Sequence, residues 1–258
     1  MLPETYLMLA EREENYWWHR ARRIMCAGLL RRYGLAPSGR WLDLGCGPGG
    51  NFALSKTLMT DIAIGLDLST IALAEAKKRL PHISLVRADL SRPLPFADSK
   101  FDLVTIFNVL YHDWIASEAD VVAEASRVLR PGGYFLITEP AFPILSREMD
   151  IVAMGRRRYH VADVVDWCNV AGLDVKYVSY FTSFGFPLLL GLKLFRNLRA
   201  SKGAINSAPD MRPLNRFANV FLKVAALFEG FLLIRGLKVP LGTTIVCLAQ
   251  KNASTCTP

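Results

Sequence analysis

Three carboxylates and a glycine loop recur at intervals that suit one elongated ligand. The stretch "LDLGCGPGGN" sets Gly45, Gly47 and Gly50 in a G-x-G-x-x-G spacing, with Asp43 two residues ahead of the first glycine. Asp67 stands in "IGLDL" and Asp89 in "RADL". Glycine is needed where a backbone turns through positive φ and where a ligand approaches with no Cβ in its way. Four glycines in six positions are more than a turn alone requires. A pyrophosphate would be drawn to the helix N-terminus that follows such a loop. Asp43, at the ligand end of its strand, would repel phosphate and favour a ligand carrying an ammonium or a sulfonium. Asp67, about twenty residues downstream, is placed to accept from both hydroxyls of a ribose, and Asp89 could accept from an adenine amino group. Ribose, adenine and a positive, phosphate-free tail together describe S-adenosylmethionine.

Methyl transfer from a sulfonium is an in-line displacement on an activated donor, so positioning can supply much of the catalysis and a base is needed only if the acceptor must lose a proton. The stretch "FNVLYHDW" puts Phe107 and Asn108 beside the methionine part of such a ligand, with Tyr111, His112 and Asp113 just beyond. His112 is the first candidate base, because an imidazole titrates at about 6.5; its alternative is shaping or capping the turn. Glu139 in "TEP" could orient an acceptor hydroxyl or make a helix or loop contact, and His160 in "RRRYH" either joins the chemistry or begins a helix. Arg156, Arg157 and Arg158 are either a solvated run or a receiver for an anionic group.

The elements that must hold these residues alternate short β-branched or Leu-rich runs with helical patterns, as an open α/β sheet does. Strands are read at "RWLDLG" from Arg40, "IAIGLDL" from Ile62, "ISLVRAD" from Ile83, "FDLVTIFN" from Phe101, "YFLITEP" from Tyr134, "LDVKYVSYF" from Leu173 and "TTIVCLAQ" from Thr243, the first five parallel. Helices fall near Asn51–Met59, Thr70–Leu80, Ser117–Leu129 and Val161–Ala171. The connection from Ser183 to Leu241 is too long for a structureless loop in a compact domain and should be a helical insertion. From Phe217 onward, Phe217, Val220, Phe221, Val224, Phe228, Phe231 and Leu232 share one helical face. That face could pack on the sheet or a neighbouring helix, wall a greasy pocket, or meet a membrane. The polar "RASKGAINSAPDMRP", Arg199 to Pro213, is a loop.

The motifs "LDLGCGPGG", "IGLDLS", "RADLSRPLPFADSKFDLV" and "VLRPGGYFLITEP" stand in an order and at separations that resemble the class I S-adenosylmethionine-dependent methyltransferases, in particular the small-molecule group similar to the ubiquinone/menaquinone (methyltransferase type 11-like) enzymes. The resemblance covers about residues 35 to 140 and implies a Rossmann-like seven-stranded, mostly parallel α/β sheet with its last strand antiparallel. It implies cofactor contacts from Asp43, Gly45, Gly47, Asp67, Asp89 and the turn after the fourth strand. Cys46 and Gly49 in the loop, Leu68 and Leu90 beside the two acids, and Asn108 complete the set, and the product would be S-adenosylhomocysteine. The reading divides the chain into an N-terminal helical lid (1–34), a cofactor-binding core (35–182), a helical insertion capping the substrate (183–241), and the final strand with its tail (242–258).

The lid rests on "ENYWWHRARRIM". On a helix Trp17, Trp18, Ala21, Ile24, Met25, Gly28 and Leu29 line one face, whereas His19, Arg20 and Arg23 lie on the other. Similar "WWxxRxRR"-like segments precede the glycine loop in some members of that group, so Trp18 would help close the site and Arg20 would meet the cofactor carboxylate. A helix simply packed on the sheet is the alternative.

Composition narrows the rest. The chain has 258 residues with 52% hydrophobic composition, enough for one large core. Its five cysteines show no metal-ligand spacing and fit reduced thiols, so no metal is expected. Glu4, Glu11, Glu13 and Glu14 oppose a signal peptide, which places the chain in the cytoplasm. The net charge of +8 is uneven: residues 1 to 150 hold 17 Lys and Arg against 18 Asp and Glu, and residues 151 to 258 hold 14 against 5. Basic charge near the apolar segments "FGFPLLLGLKLF" and "FANVFLKVAALFEGFLLI" suggests peripheral membrane contact, though Lys193, Lys223 and Glu229 interrupt any span. A small, lipophilic acceptor from small-molecule biosynthesis, natural product, quinone-like or isoprenoid-derived, follows from that apolar insertion, with a lipid-linked acceptor at a membrane surface or a non-catalytic binding protein as alternatives. Nucleic acid is not an expected partner, since "FNVLYH" stands where RNA enzymes of this fold often carry an N-P-P-Y-like motif.

Overall fold

The computed structural model describes residues 6–7, 10, 13, 16–35, 39–54, 58, 61–146, 150, 154–199 and 216–253, with residues 194–199 and 216 described by backbone only. Cys256 and residues 200–213 of the expected loop lie outside the described residues, as do 55–57 and 59 of the helix expected at Asn51–Met59.

Seven strands, β1 (Arg40–Leu44), β2 (Ile62–Asp67), β3 (Ser84–Arg87), β4 (Phe101–Phe107), β5 (Leu129–Pro140), β6 (Leu173–Phe181) and β7 (Thr244–Lys251), form one sheet in the order β3-β2-β1-β4-β5-β7-β6. The first five pair in parallel with one another, and β7 runs antiparallel between β5 and β6. β5 begins at Leu129, five residues before Tyr134, because Leu129 already pairs with Phe101 ahead of a register shift. β1, β4 and β7 are buried almost throughout, as apolar runs covered on both faces must be. Strand order reverses between β1 and β4, and ligands of open α/β sheets bind at the carboxyl ends flanking that reversal.

Six helices flank the sheet among the described residues: α1 (Trp17–Arg32), α2 (Thr70–Arg79), α3 (Glu118–Val128), α4 (Val161–Val170), α5 (Gly185–Arg199) and α6 (Arg216–Ile234). Side chains mark where three of them start. Ser69 accepts from Ala72 N at the head of α2, Ser117 from Asp120 N at the head of α3, and Asp163 from His160 N at 2.7 Å at the head of α4. His160 thus begins a helix. A 3-10 turn, Gly50–Leu54, follows the glycine loop. One face of the sheet is covered by an apolar cluster reaching α3 and α4 (Val121, Val122, Val164, Cys168). The other is covered by a cluster reaching α1 and α6 (Met25, Leu29, Ala226, Leu233).

The α1–α6 pairing decides how the insertion sits. Gly28 gives α6 room to approach, since a Cβ there would overlap Ile234, and Gly230 admits Met25. Arg32 donates to the terminal carbonyl of Ile234 at 2.7 Å. Glu229 points inward, both carboxylate oxygens accepting from Ser183 N at 3.0 Å. With Ala226, Glu229, Gly230 and Leu233 turned inward, the aromatic stripe faces out: Phe217, Val220, Phe221, Val224, Phe228 and Phe231 are all exposed. Packing of that stripe on the sheet is therefore corrected; small residues and a capping carboxylate make the contact instead. Helix Phe217–Ile234 also reaches, by length and mean hydropathy (1.9), what a membrane span needs despite Lys223 and Glu229.

Candidate active site

A cavity of about 670 Å³ opens at the carboxyl ends of β1, β2 and β4, the crevice that strand order predicts. Its floor is the glycine loop. Gly45 and Gly47 adopt φ of +69° and +54°, and Gly45 N and Cys46 N donate to Leu66 O at 2.7 and 2.9 Å, tying the loop to the end of β2. Gly49 lies within this turn, its N donating to Cys46 O at 3.1 Å, and it does not line the cavity.

Asp67 closes the loop from the other side. Its Oδ2 accepts from Gly47 N and its Oδ1 from Ser69 N, both at 2.8 Å, while the residue remains on the cavity wall. Burial raises its pKa against the pull of the Ser69, Gly47 and Leu68 amides. Each carboxylate oxygen can accept a second bond, so capacity is left for a diol. Asp89, anchored by Ser91 N at 2.9 Å, lies further along the same wall with Leu68 and Leu90.

Asp43 does not face the cavity. It is fully buried, with Oδ1 accepting from Thr105 Oγ1 at 2.6 Å and Oδ2 from Asn51 Nδ2 at 3.0 Å. Burial raises its carboxyl to about 6, opposed by those two bonds. Asn51, which does reach the cavity, accepts in turn from Arg22 Nη2 at 2.7 Å. The expected direct contact is corrected: Asp43 is linked to the cavity wall through Asn51.

Arg22 replaces Arg20 at the site. Arg20 is exposed and absent from the cavity wall. Arg22 is buried, its guanidinium 4.8 Å from the Trp18 ring and 4.7 Å from the Phe107 ring, and its Nε has no partner. Burial lowers its pKa first of all. Trp18 and Arg22 share a face because they are four residues apart, which is the signal in the sequence that could have found it. His19 also lines the cavity rather than the opposite face, and burial followed by Arg22 and Arg23 holds its imidazole well below the ordinary value. Glu13 is a second residue missed: it is buried against Gly50, where a Cβ would overlap its carboxyl, and burial pushes it up to about 7.

Beyond the loop, Asn108 holds a positive φ of +57°, with its N donating to Thr138 O at 2.7 Å. The residue lines the cavity. His112 follows, stacked on Trp114 at 4.0 Å and against Tyr111 at 4.2 Å, with all three on the wall. Glu139 is fully buried and absent from the wall; its Oε1 accepts from Val109 N and Leu110 N at 2.9 Å, so it fixes the turn that carries Asn108 and His112. Burial pushes it to about 8. An acceptor hydroxyl cannot reach it there, which corrects that role.

The arginine run is not solvated as a block. Arg157 pairs with Glu118 at 2.7 Å, and Arg156 donates to Ile115 O at 3.1 Å. Arg158 lines the cavity and forks onto Asp150 at 2.7 and 2.9 Å. The far end is apolar and aromatic: Trp17 and Phe184 with ring centres 5.9 Å apart, then Leu188 and Leu189 of α5 and Leu222 of α6.

Residues 42–137 match the family model described as a methyltransferase domain. A Mycolicibacterium smegmatis protein named "Probable S-adenosylmethionine-dependent methyltransferase" is 32% identical over 187 residues, 68% of each chain. A demethylmenaquinone methyltransferase of Beutenbergia cavernae is 36% identical over 121 residues, 47% of this chain and 49% of that relative, so the chain spans about half its length. Among solved structures, an S-adenosylmethionine-dependent methyltransferase from Mesorhizobium loti superposes with a TM-score of 0.57 at 18% identity, covering 87% of this chain and 98% of that one, a likeness of fold.

Proposed function

The chain belongs to the S-adenosylmethionine-dependent methyltransferases, and from that premise we propose that its acceptor is a small lipophilic molecule held between the glycine loop and the helical insertion. The cofactor is S-adenosylmethionine, and the groups around the loop fit it. Asp67 offers oxygens to the ribose, Asp89 with Leu68 and Leu90 offers an edge and apolar cover to the adenine, and the partnerless Arg22 Nε offers a donor to a carboxylate. Glu13 suits the ammonium. When bound, the cofactor supplies a methyl group already activated on a sulfonium.

What the chain adds is placement and dryness. Asn108 and Phe107 hold the end of β4 against the reacting region, and Glu139 keeps that turn from shifting by occupying two of its amides. Trp17 and Trp18, from the first turn of α1, roof the cavity and serve as the lid. Excluding water strengthens every fixed charge inside. His112, 3% exposed, stacked on Trp114 and tilted against Tyr111, is the group to take a proton from an acceptor that must lose one.

The observation that carries the lipophilic reading is the cavity's change of character, from carboxylates at one end to Phe184, Leu188, Leu189 and Leu222 at the other. An anionic acceptor suits it less well, because the Arg158 fork is already taken by Asp150. The test is S-adenosylhomocysteine formation across a panel of lipophilic hydroxyl, amine and quinone compounds beside small polar carboxylates. Turnover is expected with members of the first group; turnover confined to the second would overturn the reading.

A further inference from the structure

The outward stripe of α6 is exposed, and its neighbours say what it suits. Phe217, Phe221 and Phe228 are 85%, 71% and 63% exposed, and Val220, Val224 and Phe231 extend the row to Phe231. At 1.5 Å per residue the stripe is about 21 Å long. Leu188 and Leu192 of α5 are also exposed. Contiguous apolar area of this kind marks an interaction site.

Charge selects the partner. Residues 184–240 hold nine Lys and Arg against two Asp and Glu, and one of the two acids, Glu229, is buried under the helix with both oxygens on Ser183 N. Arg235 lies 4.8 Å from the Phe231 ring at the end of the stripe, Lys238 is exposed just beyond, and Lys193 stands on α5. Aromatic residues bordered by basic ones, with hardly an acid between, match an anionic lipid surface. A second copy of the chain would bring the same positive charge against itself. Gly28, Met25 and Arg32 keep the other side of the helix on α1, so its outward face alone is open to a lipid surface and the packed helix is not free to span.

We propose that the outward face of α6, with α5 beside it, docks the enzyme on an anionic bilayer and admits the acceptor laterally from the lipid. The two helices that carry the exposed stripe also supply Leu188, Leu189 and Leu222 to the cavity, so the lipid-facing surface and the acceptor end of the site are built from the same apolar elements. The inference rests on the cavity being the acceptor site of a methyltransferase.

The test is flotation of the full chain with vesicles of phosphatidylcholine alone and of phosphatidylcholine with phosphatidylglycerol, at low and high salt, with calorimetric binding of S-adenosylhomocysteine measured on the same samples. Partition onto the anionic vesicles is expected, weakened by salt and lowered about tenfold in Phe217→Ser/Phe221→Ser/Phe228→Ser, with S-adenosylhomocysteine affinity unchanged. Leu188→Ser/Leu192→Ser on α5 should weaken partition independently. Three results would overturn the proposal: no partition at low salt by a chain that binds S-adenosylhomocysteine, partition indifferent to both variants, or a dimer in sedimentation that the triple variant converts to monomer. Failure of the methyltransferase reading would register separately, as absent S-adenosylhomocysteine binding by the wild-type chain.

Discussion

Thr105 donates its hydroxyl to Asp43 at 2.6 Å while accepting from Trp41 Nε1 at 2.8 Å, so one side chain in the centre of β4 satisfies two buried groups of β1. Thr105→Val keeps the shape but leaves Trp41 Nε1 and Asp43 Oδ1 without these bonds, Asp43 keeping the one from Asn51. A buried polar group left without its partner costs about 1–3 kcal/mol, so urea unfolding at neutral pH should show a loss of about 2–4 kcal/mol. A loss within experimental error would mean that Asp43 finds another donor.

Arg22 and Arg20 separate the two faces of α1. Arg22→Met should weaken S-adenosylhomocysteine binding by about 10- to 100-fold, roughly 1.4–2.7 kcal/mol, and Arg20→Met should leave it within about twofold. Calorimetry on the two variants decides; equal effects would remove Arg22 from the cofactor site.

For His112 the informative substitution is Phe, which keeps a ring against Trp114 and Tyr111. S-adenosylhomocysteine affinity should stay within about twofold, and kcat for an acceptor that loses a proton should fall by about 100-fold or more. An unchanged kcat would reduce His112 to shaping the wall.

Glu139 makes stability depend on pH. Burial raises its carboxyl from 4.5 to about 8, so between those values the folded chain holds a proton that the unfolded chain has released. The stabilisation is complete below the lower value and is lost as pH rises through the upper one, with a slope of up to about 1.4 kcal/mol per unit. Glu139→Gln keeps an acceptor for Val109 N and Leu110 N without the titration. Its stability relative to the wild type should therefore improve from pH 5.5 to pH 8.5, and parallel pH curves would contradict the shift.

The strands were legible because burial on both faces writes itself as apolar runs, as in β1 and β4, and the acids ending β2 and following β3 were legible because their spacing from the loop is set by the crossovers that join β1 to β2 and β2 to β3. The misses are of another kind. Choosing Arg20 over Arg22 is an error of helical phase, and two residues turn a side chain about 200° around the axis. Of the two readings of Glu139 the loop contact holds and the acceptor role does not, and the sequence could not choose because the partners, Val109 and Leu110, lie some thirty residues away on the turn after the preceding strand, a contact no local pattern carries. The α6 stripe inverted the usual rule because Gly28 and Gly230 let small residues make the contact. Glu13, read only as a charge, is an inward carboxyl for the same reason: its setting is made by Gly50, not by its neighbours in sequence.

Arg32 and Ile234 meet across 202 positions of chain. At about 5–20 residues per second, a ribosome takes roughly 10–40 s to make what lies between them. For that interval the apolar side of α1 has been synthesised and its partner has not, so Met25 and Leu29 must rest on the nascent sheet alone or be shielded by a chaperone. The cofactor end of the molecule can be assembled early; its second layer is finished only when α6 emerges.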